Sequence, residues 1–423
     1  MPEVSAIERD VLDHVDREAL IALTASLVAI PSTDDAGETA VQEHVAATLW
    51  GIGAEVDQWA IDLDALRTHE RFSAELERRE AVGVVGTVGD GDGRRLLLDG
   101  HIDVVPVGDL TQWTRDPFTP SVHDGALFGR GACDMKAGVA AAIHAVDAIV
   151  RSGVVLDGSV AVASVVGEED GGCGTLATLL HGVTADACII PEPTELALVP
   201  ANAGALTFRI RIAGLSAHGA TRLEGVSAIE KLPLVLDALA DLERSRNARA
   251  RGPLFEWTPL PFAICPGRVV AGDWPSSVAD WLVLEGRYGI APGEDVADAE
   301  AELDAAMRAL AARDPWLAEH PPEVEWWGGR FLPGSTALED PIVATVAACA
   351  EDVTGAGPPA MRGMPYGCDL ALTTGVGGIP TVVFGPGSAN FAHKPDERVP
   401  VDELVQCTEA LVLAILRYCG VRR

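Results

Sequence analysis

The sequence predicts an α/β protein: a mixed sheet with flanking helices, interrupted by a smaller α+β unit. Three observations carry this reading. Short apolar runs alternate with segments of helical period, and several runs end in acidic residues or histidine. The style changes near residue 204, where ALTFRIRIAG alternates strictly. Leu206, Phe208, Ile210 and Ile212 fall on one face, and Thr207, Arg209 and Arg211 on the other. Near residue 332 the first style returns. The expected division is 1–203, 204–331 and 332–423, with the outer segments forming one discontinuous domain.

In chain order, residues 17–29 have helical period, and Pro31-Ser32-Thr33 ends that helix. A second helix fits 38–50. The charged stretch 61–80 reads as a surface excursion. Apolar runs at 82–88 and 96–105 read as strands around the turn Gly89–Gly93. A Gly-rich loop leads to Asp134, and the Ala-rich helix KAGVAAAIHAVDAIV follows. Strands at 158–166 and 187–193 end in Gly167-Glu168-Glu169-Asp170 and in Glu192. The middle segment reads as a strand from 204, a helix near 225–246, strands near 261–270 and 278–290, a helix at 294–313 and a strand at 323–331. That order, βαββαβ, is ferredoxin-like. A helix at 340–353, a strand at 381–385, a loop carrying His393 and an apolar helix at 402–419 complete the chain.

Composition narrows the function. The 423 residues include 31 basic and 63 acidic side chains, a net charge of −32. That balance argues against nucleic acid or an anionic membrane as partner. No apolar run approaches the ~20 residues of a membrane span. The N-terminus lacks an apolar signal core, so a cytoplasmic location is expected. The eight cysteines form no CxxC pair and read as buried free thiols rather than a zinc-thiolate site.

The chemistry centres on LLLDGHIDVVP. Alternation along a strand would aim His101 and Asp103 the same way, as a metal ligand and its orienting carboxylate require. His-x-Asp alone is a weak signal, since a strand end with two polar residues looks the same. It gains force from residues farther along the chain. His101, Asp134, Glu169, Glu192 and His393 each end a predicted strand or lie in a loop near one. Oxygen and nitrogen donors without thiolate suit zinc, or cobalt or manganese in its place. Five side chains exceed one tetrahedral site, and two metals sharing Asp134 would use all five. Glu168, the other member of the Glu-Glu pair, suits a general base. Taken singly, Glu168-Glu169-Asp170 reads as a solvated acidic turn and His393 as a surface histidine.

GHIDVVP, GRGACDMKAG, GEEDGGCGT, PEPT, SAHGA and AHKPDE together resemble, in order and spacing, the motifs of the di-zinc amidohydrolases and exopeptidases. That family includes acetylornithine deacetylase, succinyl-diaminopimelate desuccinylase, aminoacylase and the glutamate carboxypeptidases. The resemblance covers nearly the whole chain. It implies that His101, Asp134 and Glu192 hold one zinc, and that Asp134, Glu169 and His393 hold the other. It implies that Asp103 orients His101 and that Glu168 is the base. It makes the inserted unit a dimerisation lid, with His218 reaching in trans into the active site of a homodimer partner. The alternating strand from 204 is a candidate edge for that pairing. Arg287 resembles the arginine that takes a substrate carboxylate. Two departures weaken a desuccinylase reading. Ser277 stands where many deacylases have asparagine, and the Tyr366-Gly367-Cys368-Asp369 loop lacks Thr-Ser. Gly387, in the loop before His393, is expected to line the pocket.

The leading expectation is therefore a zinc-dependent deacylase of N-acyl amino acids, of the acetylornithine deacetylase type. An exopeptidase acting on short peptides is the alternative. A binding protein with lost catalysis is remote, because every ligand and Glu168 is present.

Overall fold

The computed structural model describes residues 4–33, 37–250 and 252–422. It contains two compact units: Met1–Ala201 with Ser335–Arg362 and Cys368–Arg423, and Asn202–Gly334 with Gly363–Gly367. The inserted unit thus starts at 202 rather than 204 and ends at 334 rather than 331. The segment Gly363–Gly367 returns to it from the far side of the insertion.

The first unit is built on a large mixed sheet. Its central strands, Ser159–Val165, Arg95–His101, Ala187–Ile190 and Thr381–Val383, lie side by side and parallel. Leu96, Leu97 and Leu98 are all buried. Three consecutive apolar positions mark a strand covered on both faces, as parallel strands are. Two antiparallel strands, Val82–Val88 and Glu55–Ala60, extend the sheet beyond Ser159–Val165. The helix Lys136–Ser152 is buried along most of its length and packs on Val401–Cys419. Gly138 permits a close approach, since a Cβ there would lie 2.0 Å from the Pro191 carbonyl oxygen. Register pairs His101 with Val165 and Val383 with Ile190. The four parallel strands therefore finish on one side of the sheet, where ligands of such sheets gather.

Stretch 61–80 is only partly a surface excursion. It contains a short helix, Leu63–Leu66, and Leu66 and Ser73 are buried. The Arg78 side chain is only 11% exposed.

The second unit has a four-stranded antiparallel sheet in the order Ile264–Ala271, Trp281–Ile290, Gly204–Ala213, Glu323–Phe331. Helices Leu232–Ala250 and Val296–Ala311 complete a βαββαβ order. Leu206, Phe208, Ile210 and Ile212 are buried among residues of both helices. The strand Gly204–Ala213 is not an edge: it is paired on both sides. Its alternation records a sheet covered on one face, which a central strand shows as readily as an outer one. The edges are Ile264–Ala271 and Glu323–Phe331. The first helix begins at Leu232 rather than 225, after short turns at Gly219–Glu224 and Ile229–Lys231. Pro233 fits in its first turn, where no intrahelical donor is needed. Arg246, almost fully buried, ties this helix to Glu294, Glu302 and the Gly289 carbonyl. Among the described residues no helix is long and apolar enough to cross a membrane.

Candidate metal centre

Six of the expected side chains converge in the first unit. His101 ends its strand. Glu168 and Glu169 sit on the turn after Ser159–Val165, and Glu192 lies two residues beyond Ala187–Ile190. His393 follows Thr381–Val383, and Asp134 arrives on the loop that enters Lys136–Ser152.

Asp134 lies between the two histidines. Its Oδ1 is 3.2 Å from His101 Nε2 and its Oδ2 is 3.3 Å from His393 Nε2. Glu192 Oε1 stands 3.4 Å from His101 Nε2, and Glu169 Oε2 stands 3.0 Å from His393 Nε2. Donor atoms about 2.0–2.1 Å from a common tetrahedral ion are about 3.3 Å apart, so these spacings fit metal ligands. Ligand atoms of His101, Asp134 and Glu169 fall within 4.8 Å of one another, as do those of His101, Glu168 and Glu192. Glu168 Oε2 stands 3.9 Å from His101 Nε2, beyond hydrogen-bond reach. His393 is half exposed and holds a left-handed backbone, with φ of 59°. Such a conformation costs a non-glycine residue energy and is concentrated at functional sites.

The orienting partner of His101 differs from expectation. Its Nδ1 donates to the main-chain carbonyl of Asp103 at 3.0 Å. The Asp103 carboxylate lies farther off, at 3.6 Å, and accepts the amides of Glu168 and Glu169 at 3.2 and 3.0 Å. The strand ends at His101, so alternation no longer governs Asp103. With Nδ1 donating, a neutral His101 presents the Nε2 lone pair to two carboxylates, an arrangement that a cation between them would satisfy.

Electrostatics point the same way. Burial, with the charge of Asp134 beside each, pushes Glu192 up to about 8 and Glu169 up to about 7. Burial also raises Glu168 well above the carboxylate range. Desolvation would raise Asp134 too, but His101 and His393 hold it well below that range. Hydrogen bonds to Asp134 and Glu169 push His393 up to about 10. Burial works against a charged His101, yet Glu192 and Asp134 lift it well above its ordinary value. Four crowded carboxylates exceed two imidazoles, and divalent cations would balance them.

The other expected residues are placed differently. His218, Ser277 and Arg287 belong to the inserted unit. His218 pairs with Ser277 in an isolated bridge, and its Nδ1 accepts the Ala220 amide at 3.1 Å. Ser277 borders a cavity of about 760 Å³, together with Arg222, Lys231 and Trp274. Arg287 is half-buried and donates to the Pro365 carbonyl at 2.8 Å. Both backbone groups of Gly387 are engaged within the protein. Its amide donates to Glu403 and its carbonyl accepts from Glu195.

Two buried groups at the centre escaped the sequence reading. Glu397 accepts the amides of Cys133 and Asp134 at 2.9 and 3.1 Å and pairs with Arg130. It fixes the loop that carries Asp134 from four residues past His393. Its position inside AHKPDE was the available signal. Arg78 braces the Glu168–Glu169 turn, and no local pattern marks it.

A family model described as peptidase family M20/M25/M40 matches residues 97–417. The chain is 30% identical to N-formyl-4-amino-5-aminomethyl-2-methylpyrimidine deformylase of Halalkalibacterium halodurans, over 100% of both chains. It is 30% identical to acetylornithine deacetylase of Edwardsiella ictaluri, over 95% of this chain and 98% of that one. The fold is similar to that of a dinuclear metal-binding peptidase from Bacillus subtilis. The TM-score is 0.63 and the identity 18%, with 95% of this chain and 98% of that one covered. The chain belongs to peptidase family M20/M25/M40 and is a metal-dependent amidohydrolase.

Proposed function

We propose that the protein hydrolyses the amide of a small N-acyl amine, with two zinc ions bound at the centre and cobalt or manganese as substitutes. The observation that carries this reading is Asp134, with one oxygen toward each histidine. His101 and Glu192 would hold one ion, Glu169 and His393 the other, and Asp134 both. When bound, such ions supply Lewis acidity to a carbonyl and lower the pKa of water. The protein's own steps are then short. Glu168 takes a proton from the attacking water and delivers it to the departing nitrogen. Asp103, through the two amides it accepts, keeps Glu168 and Glu169 facing different ways.

His218 would donate to the oxyanion of the tetrahedral intermediate, across a homodimer. Its Nδ1 accepts a backbone amide, so in the neutral ring Nε2 carries the hydrogen that this role needs.

Relatives aligned along nearly the whole chain are named as a deformylase and a deacetylase, so formyl and acetyl are the first acyl groups to test. The peptidase match is a likeness of fold alone, at 18% identity, and lends the exopeptidase reading less support. Arg287 favours an amine that also bears a carboxylate. Burial lowers its pKa, and among the described residues no carboxylate pairs with it.

The test is hydrolysis by the zinc-loaded protein of N-formyl and N-acetyl amino acids, the N-formyl aminopyrimidine and dipeptides, each with a chelator control. Chelator-sensitive release of formate or acetate is the expected result. Cleavage of dipeptides alone would transfer the reading to an exopeptidase. A preference for the uncharged pyrimidine would remove Arg287 from substrate binding.

A further inference from the structure

The turn Gly167–Asp170 carries Glu168 and Glu169, and its shape decides where both carboxylates point. Each residue of this turn is held from outside. The Gly167 amide donates to Glu38 at 3.1 Å. The Glu168 and Glu169 amides donate to Asp103. The Asp170 carboxylate accepts the amides of Glu75 and Leu76 at 3.1 and 2.8 Å. Arg78 joins the two ends. Its Nε and Nη2 donate to Glu38 at 3.1 and 2.8 Å, and its Nη1 donates to Asp170 at 2.7 Å. The guanidinium also rests on the backbone of the turn. A Cβ on Gly167, at φ of 66°, would come within 2.8 Å of Arg78 Cζ. One on Gly171 would come within 2.4 Å of the Ser73 carbonyl oxygen. Segment 73–78 therefore lies directly on the turn through two glycines.

Arg78 is the cation between two buried carboxylates, Glu38 and Asp170. Its planar fork addresses both together, which a lysine ammonium cannot do with the same geometry. We propose that Arg78 is a positioning residue: it clamps the Gly167–Asp170 turn so that Glu169 faces the metals while Glu168 faces the substrate. The inference rests on the roles given above to Glu168 and Glu169.

The experiment uses the full chain as Arg78→Met, Arg78→Lys and the triple variant Arg78→Met, Glu38→Gln, Asp170→Asn. Each apo-protein is titrated with Zn2+ by calorimetry, its urea midpoint is measured, and kcat and KM are determined on the best substrate. In Arg78→Met one of two Zn2+ equivalents binds about 10–100-fold more weakly, as loss of a group supporting metal ligands does. Its kcat falls at least about tenfold while KM stays within about threefold, since a lost positioning contact acts on the transition state more than on binding. Arg78→Lys recovers part of both, and carries the test if Arg78→Met does not fold. The triple variant removes the unpaired buried charges, so its urea midpoint recovers while Zn2+ affinity and kcat do not. Unchanged Zn2+ affinity in Arg78→Met and Arg78→Lys overturns the proposal. So does a triple variant whose affinity and kcat return together with its stability, because Arg78 would then act on folding alone. A wild type that binds two Zn2+ but hydrolyses nothing sinks the proposed substrates, while the calorimetry still decides on Arg78.

Discussion

Glu168 and Glu169 are the same residue type on one turn, yet the roles proposed for them differ. Adjacent side chains on a turn diverge, and the amides accepted by Asp103 hold that divergence in place. Glu169 lies against His393, while Glu168 stands free of hydrogen-bond contact with His101. Glu168→Gln keeps the shape and removes the base. It should bind two Zn2+ as the wild type does while kcat falls about 10²–10⁴-fold, the usual contribution of a general base. Activity within tenfold of wild type would take Glu168 out of that role. At this scale the sequence was informative about residue types and poor about contacts. His101, Asp134, Glu169, Glu192 and His393 were visible because each follows a strand or enters a helix. Alternation does not locate the Asp103 carboxylate, because the strand ends at His101. Arg78 was hidden because its partner Asp170 lies 92 residues away, and nothing local announces such a pair.

At the level of elements, the strands and helices were legible wherever one face is buried and the period shows it. The inserted sheet shows the limit of that signal: the alternation in Gly204–Ala213 reported a covered face and said nothing about its neighbours. The helix Ala6–Leu12 illustrates an element held by charge. Glu8 closes a capping box with Ser5 and accepts from Arg417, which also pairs with Asp352. Three helices, Ala6–Leu12, Pro341–Thr354 and Val401–Cys419, thereby meet at one guanidinium. Burial opposes ionisation of Glu8, but Arg417 and Ser5 outweigh it and hold its pKa below 4.5. A carboxylate with a lowered folded pKa binds fewer protons folded than unfolded, so its stabilisation is complete above 4.5 and lost as pH falls through the folded value. Glu8→Gln should therefore be less stable than wild type by on the order of 1 kcal/mol at pH 7. The gap should close under acid. Urea midpoints of the two proteins across that range check the sign, and a gap that widens on acidification would refute it.

Taken whole, the molecule is strongly acidic, with 63 carboxylate residues against 31 basic ones. Four of those carboxylates crowd one centre, so bound metal and the folded state must support each other. Chelation should lower the unfolding midpoint, and Zn2+ should restore it. For an ion present at a thousandfold over its dissociation constant the difference is about 4 kcal/mol. A midpoint indifferent to both treatments would mean that the cluster holds no ion in the native protein.

The order of the four parallel strands bears on how the protein is made. Ala187–Ile190 is flanked by Arg95–His101 and by Thr381–Val383, and the third of these is synthesised last, after the whole inserted unit. Chains emerge from the ribosome N-terminus first, and their domains fold largely as units. Until Thr381–Val383 arrives, a nascent chain carries Ala187–Ile190 with one side open, a place where a neighbouring chain can pair. His393 is also missing until then, so of the proposed ligands one ion would meet all three and the other only Asp134 and Glu169. A polypeptide arrested after residue 367 should accordingly depend on chaperones and hold the second ion poorly, even though every segment of the inserted unit has then been made.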